Sequence, residues 1–99
     1  NPAAAVEAYT KTLALHPEHL DALNNRASAW FQLKEYAKAE ADYSTALAIR
    51  PDFLAALNHR AGARLNIGNR AGAIEDFKKS LSLQPDQPTI RDYLSKVNQ

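Results

Sequence analysis

"ALNNRA" at residues 22–27 returns as "ALNHRA" at residues 56–61, an interval of 34. Prolines keep that interval at 17, 51 and 85, and so do Tyr9, Tyr43 and Phe77, Ala5, Ala39 and Ala73, and Leu13, Leu47 and Leu81. Aligning residues 20–53 with 54–87 gives 13 identities in 34 positions without a gap. Self-similarity at a fixed period of this length signals stacked units, each too small to bury its own apolar face alone. Within a unit, "LDALNNRASAWFQL" and "YAKAEADYSTALAI" are rich in helix formers and free of internal Gly and Pro, so each predicts a helix. The break between them falls at Lys34 and Glu35. In the following unit it reads "IGNR", where Gly68 suits a left-handed helix end and Asn69 a helix start. Each proline then closes the second helix of its unit, because its ring cannot continue it. Residues 1–16 read as a second-type helix opened by Asn1 and Pro2, and "PTIRDYLSKVNQ" as a final first-type helix. The expected architecture is all-α, with about six helices in one domain over 1–99. It divides into a partial repeat (1–19), full repeats at 20–53 and 54–87, and a terminal helix at 88–99.

The pattern resembles the tetratricopeptide repeat, a 34-residue helix-turn-helix with the signature W-x2-L-G-x2-Y, A-x3-F and P. Leu23, Arg26, Ala27, Trp30, Ala39, Tyr43 and Pro51 fill those columns in the first full unit. Leu57, Arg60, Ala61, Arg64, Ala73, Phe77 and Pro85 fill them in the second. Arg26, Arg60 and Arg64 depart from the family's Leu and Tyr, which leaves the packing around Arg64 unaccounted for. The resemblance implies a right-handed solenoid of stacked antiparallel helix pairs whose concave surface takes an extended peptide or a partner's helix.

Helical geometry divides the first-type helix into two halves. Ala22, Leu23, Arg26, Ala27, Ala29, Trp30 and Leu33 fall on the half that packs, and truncation of Trp30 to Ala is expected to cost roughly 3–5 kcal/mol. Asp21, Asn24, Asn25, Ser28, Phe31 and Gln32 fall on the other half, continued in the next unit by Ala55, Asn58, His59, Gly62, Leu65 and Asn66. The final helix adds Tyr93. These thirteen residues are the candidate groove. Asn24, Asn25 and Asn58 carry the binding reading, since a side-chain amide donates and accepts as a peptide backbone does. Arg26 and Arg60 are each followed after 16 residues by an acid, Asp42 and Asp76, so an ion pair inside each unit is expected to make "NxRA" partly architectural.

Composition restricts the remaining classes. Twelve Lys and Arg stand against eleven Asp and Glu, a formal charge of +1 with no basic run, which disfavours nucleic acid as a partner. Without cysteine there is no thiol nucleophile and no thiolate metal site. "HPEH" at 16–19 straddles a helix-ending proline without a third ligand, so it reads as turn rather than metal site. Neither a GxSxG elbow nor a P-loop is present, and the chain reads as non-catalytic, without cofactor. Apolar runs are far shorter than the roughly 20 residues that cross a bilayer, so a soluble chain without membrane insertion is expected, the cytoplasm slightly favoured. With no methionine, it is expected to be a piece of something longer.

The family resemblance includes a subclass, the carboxylate clamp, which grips acidic tails with an Asn where Asn25 stands and with Lys and Arg where this chain has Ala55 and His59. Neither of those replaces a fixed cation, so the clamp is not expected. The expected activity is therefore a protein-protein interaction module for a protein or peptide partner. The alternative is a structural self-assembly or stacking segment of a larger repeat protein with no dedicated peptide ligand. Separately, a homo-oligomer is expected through the helix at 1–16, whose Ala5, Tyr9, Thr12 and Leu13 would lie on an uncovered face.

Overall fold

The computed structural model describes residues 1–97 as six helices in chain order: α1 Pro2–Leu15, α2 Leu20–Gln32, α3 Tyr36–Ile49, α4 Leu54–Asn66, α5 Arg70–Leu83 and α6 Pro88–Val97. Residues 98 and 99, which the sequence reading places in the terminal helix, lie outside the described residues. Each helix packs on the next, and α2 also touches α4. First-type helices thus share a layer, and the stack extends over 45 × 24 × 19 Å.

Alanine sets the spacing of that stack. Ala27, Ala39, Ala46, Ala56, Ala61, Ala63 and Ala73 are completely buried, which lets neighbouring helix axes approach closely. Tyr43 and Leu57 are the large apolar side chains sealed among them, and Phe53 packs against both core clusters from the turn before α4. Trp30 is less enclosed than its column predicts. It is partly buried, with Lys38 Nζ 4.6 Å from its ring centre, so its truncation should cost less than full burial would imply. Leu33, expected on the packed half, is 40% exposed.

The breaks inside the two full units close by the same bonds. The Glu35 N–H donates to Trp30 O at 2.9 Å and Lys34 N–H to Phe31 O at 2.9 Å, and Asn69 and Gly68 repeat this toward Arg64 O and Leu65 O. This Schellman pattern needs a left-handed residue. Gly68 supplies it at φ 84°, whereas Lys34 takes φ 62° with a full side chain. Asn1 caps α1 through Ala3 and Ala4, and Asn69 caps α5 through Gly72. His19 Nδ1 accepts from Ala22 N–H at 3.1 Å, giving half of the "HPEH" pair a capping role.

The arginines pair as their spacing predicts. Arg26 grips Asp42 with two bonds of 2.7 Å, and Arg60 grips Asp76 at 2.9 and 2.6 Å. Each also donates to a hydroxyl of the preceding unit, Thr10 or Ser44, both at 3.2 Å. Arg64 is held by Glu40 at 2.7 Å and Asp76 at 3.2 Å. The departure from the family's aromatic is therefore an ionic tie between α3 and α5.

Candidate functional site

Between α2, α3 and α4 lies a half-open cavity of about 280 Å³, lined by Ser28, Phe31, Gln32, Tyr43, Asn58, His59 and Gly62. Six of these seven belong to the residues expected on the concave half. The seventh, Tyr43, belongs to the core by its signature column, and its ring is buried. Its hydroxyl reaches the cavity wall and lies 3.3 Å from Ser28 Oγ. Burial raises the Tyr43 pKa, so the phenol remains protonated and able to donate at neutral pH. Helical periodicity hides this double role, because a Tyr can place its ring in one environment and its hydroxyl in another.

Two aromatic rings form the apolar part of the wall. Phe31 is fixed edge-on against Tyr36, with ring centres 5.0 Å apart. His59 lies over Tyr43 at 5.7 Å and 46°, and desolvation lowers its pKa, which favours the neutral imidazole at pH 7. At Gly62 a Cβ would stand 3.7 Å from Phe31, so the missing side chain opens this space.

The other expected groove residues divide by exposure. Asp21, Asn25, Gln32 and Asn66 are open to solvent, although the Asn66 amide already donates to Gly62 O at 2.8 Å. Ala55 and Leu65 are half-buried and do not line the cavity. Tyr93 packs on Phe77 with ring centres 5.4 Å apart, and its hydroxyl is buried without a hydrogen-bond partner among the described residues. Asn58 is less free than its sequence column predicts. Its Nδ2 donates to Gln87 Oε1 at 2.9 Å, while its Oδ1, like Asn24 Oδ1, is enclosed without a partner among the described residues. Gln87, which sequence reasoning missed, also donates to Ser80 Oγ at 2.9 Å and Gln84 O at 2.7 Å. Its column holds His19 and Phe53 in the other units, so no repeat signal could have revealed it.

Models of the tetratricopeptide repeat match residues 1–52 and 54–87. The chain belongs to the tetratricopeptide repeat family. Among solved structures, the first such domain of Spaghetti (RPAP3), bound to the HSP90 peptide SRMEEVD, is similar over 94% of this chain and 74% of that one, at 31% identity and TM-score 0.86. The second domain of human RPAP3, in complex with the HSP70 peptide SGPTIEEVD, aligns over 95% and 78% at 29% identity and TM-score 0.85. The Arabidopsis OM64 domain aligns over 92% and 75% at 27% identity and TM-score 0.85. No curated protein sequence matches the chain. These tetratricopeptide domains share the stacked-pair solenoid, and in this chain no helix among the described residues is long and apolar enough to cross a membrane.

Proposed function

We propose that this tetratricopeptide domain is a protein-interaction module that holds an extended or helical segment of a partner protein along the layer formed by α2 and α4. The observation that carries the reading is the cavity opening between those helices, bordered by the exposed Gln32 amide, with the exposed Asn25 one helical turn before Ser28 on α2. Amides beside an apolar hollow suit a backbone with alternating side chains. Domains of similar structure hold the peptides SRMEEVD and SGPTIEEVD, which end in acidic residues. In this chain the columns expected to grip a terminal carboxylate hold Ala55 and His59, so the preferred segment differs in charge from those two. Affinity here derives from hydrogen bonds worth net about 0.5–1.5 kcal/mol each and from apolar contact.

The test is a titration of a partner peptide, selected on the intact domain, at low and high salt. The expected result is weak salt dependence, because few unpaired charges are engaged. Asn25→Ala should weaken binding by up to about tenfold with the melting temperature unchanged. Asn25 is a cleaner probe than Asn58, whose truncation also removes the bond to Gln87. An affinity that collapses in salt and ignores Asn25→Ala would transfer binding to the charged outer surface.

A second reading is self-association through α1, but the face expected to be uncovered is partly filled: Leu13 is buried against Ala22 and Leu23, and Tyr9 packs beside it. The reading rests instead on Leu15, which is 79% exposed at the end of that helix. A strict monomer by light scattering at high concentration removes it for this chain.

A further inference from the structure

We infer that the cavity between α2, α3 and α4 is an anchor pocket for one large uncharged apolar side chain of the partner segment, leucine or phenylalanine in kind. The inference rests on the peptide-groove reading and makes it specific.

Size is the first argument. At about 280 Å³ the hollow lies just under the roughly 300–1,000 Å³ of drug-sized ligand sites. It suits one side chain better than a docked helix. Charge is the second. The lining contains neither Lys and Arg nor Asp and Glu, and its one titratable base, His59, is pushed toward its neutral form by desolvation. A carboxylate or ammonium group entering this space would lose water without gaining a counter-charge. An apolar side chain would meet Phe31 and the His59 ring that covers the buried Tyr43, while the Ser28 and Tyr43 hydroxyls already lie 3.3 Å from each other.

Position is the third argument. Gly62 shares its 34-residue column with Ser28 and Lys96, so only this column member leaves the backbone bare. A Cβ added there would sit in ordinary contact with Phe31, at 3.7 and 3.9 Å, without displacing any atom. Space was therefore available for a side chain at 62, and glycine leaves it to an incoming group. Helices lose stability at an interior glycine, which gives substitution here an unusual signature. Filling the site should strengthen the fold while it removes the pocket.

The experiment has two arms. In the first, backbone amide resonances of the domain are followed by NMR during titration with N-acetyl amides of phenylalanine, leucine, aspartate and lysine. Phenylalanine and leucine amides are expected to shift Ser28, Phe31 and Gly62, and the two charged amides are not. In the second arm, short displayed peptides are selected on the wild-type domain and tested against Gly62→Leu and Gly62→Ala. The selected peptides should share a large apolar residue and bind Gly62→Leu on the order of 10- to 100-fold more weakly, the contribution of one buried apolar side chain. Gly62→Ala should fall between, and its melting temperature should be at or above that of the wild type. It keeps the test valid if the larger variant fails to fold.

The anchor pocket is overturned if the charged amides shift the same resonances equally. It is also overturned if peptides bind both Gly62 variants as tightly as the wild type, or if no peptide is selected and no amide shifts Gly62. Peptides indifferent to Gly62 that still shift Asn25, Ala55 and Leu65 would remove the pocket and leave the groove reading in place. Peptides that shift only α1, α3 and α5 would remove both.

Discussion

The α2–α3–α4 junction and the α4–α5–α6 junction occupy the same sequence columns one 34-residue period apart, yet α6 packs less extensively than α4 does and the two are sealed by opposite chemistry. In the first, Phe53 packs from the turn against both core clusters, beside the fully buried Ala46. In the second, the same two columns hold Gln87 and Ser80, which bond to each other, Gln87 also accepting from Asn58, and Ser80 is also fully buried. Above these plugs the aromatic pairs differ as well. Tyr43 under His59 borders an open cavity, whereas Phe77 is covered by the Tyr93 ring. The comparison teaches that the repeat specifies a backbone and its spacing, and that the side chains in two columns, Ala46 and Phe53 against Ser80 and Gln87, distinguish an apolar seal from a polar latch.

The ion pairs give the largest effect by which the comparison can be broken. Asp76 serves both Arg60 and Arg64 and its side chain is 5% exposed, while Asp42 serves Arg26 alone at 9%. Asp76→Ala leaves two partly buried guanidinium groups without this partner and should cost about 3–5 kcal/mol. Asp42→Ala should fall at the lower end, about 3 kcal/mol. Urea denaturation of both variants checks the order, and equal midpoints would mean that Arg64 adds nothing to the second junction.

The plugs come next. Phe53→Ala removes an aromatic ring shared by two clusters and should cost about 3 kcal/mol. Gln87→Ala leaves Asn58 Nδ2 and the Ser80 carbonyl without their Gln87 bonds, and should cost about 1–3 kcal/mol. Hydrogen exchange should place the Gln87→Ala loss in α5 and α6, with α2 and α3 unchanged. A loss spread evenly over all helices would contradict a local latch.

Smaller effects sharpen the contrast at the cavity. Gly62→Ala should stabilise the domain by about 0.5–1 kcal/mol, read as a raised melting temperature, because the new Cβ meets Phe31 at ordinary contact distance. A lowered melting temperature would mean that this site is already filled. The smallest expected effect is at His59, whose folded pKa lies below its usual value through desolvation. The unfolded chain therefore takes up a proton first as pH falls. Stability should decline from near pH 6.5 downward and level off below the folded pKa. His59→Gln should flatten that part of the stability profile, and an unchanged profile would refute the assignment.

The sequence by itself determined the helices, their pairing and the two-layer stack. Each is encoded by short-range signals that return every 34 residues: alanine columns that permit close axes, prolines that end helices, and apolar residues at helical spacing. It also determined the Arg26–Asp42 and Arg60–Asp76 pairs, because a fixed offset inside a repeat is visible in the letters. Six of the seven cavity residues were legible as one helical half for the same reason. Tertiary structure alone decided which atoms remained available. Gln87 reaches Asn58 across 29 residues and Arg64 reaches Glu40 across 24, neither interval a feature of the repeat. Tyr43 turned its hydroxyl to Ser28 while its ring stayed in the core, and Gly62 became an opening only because Phe31 of the neighbouring helix stands opposite. Periodicity reports the face on which a side chain lies. Hydrogen-bond partners and empty volume depend on distances between elements, which exist only after the helices have stacked.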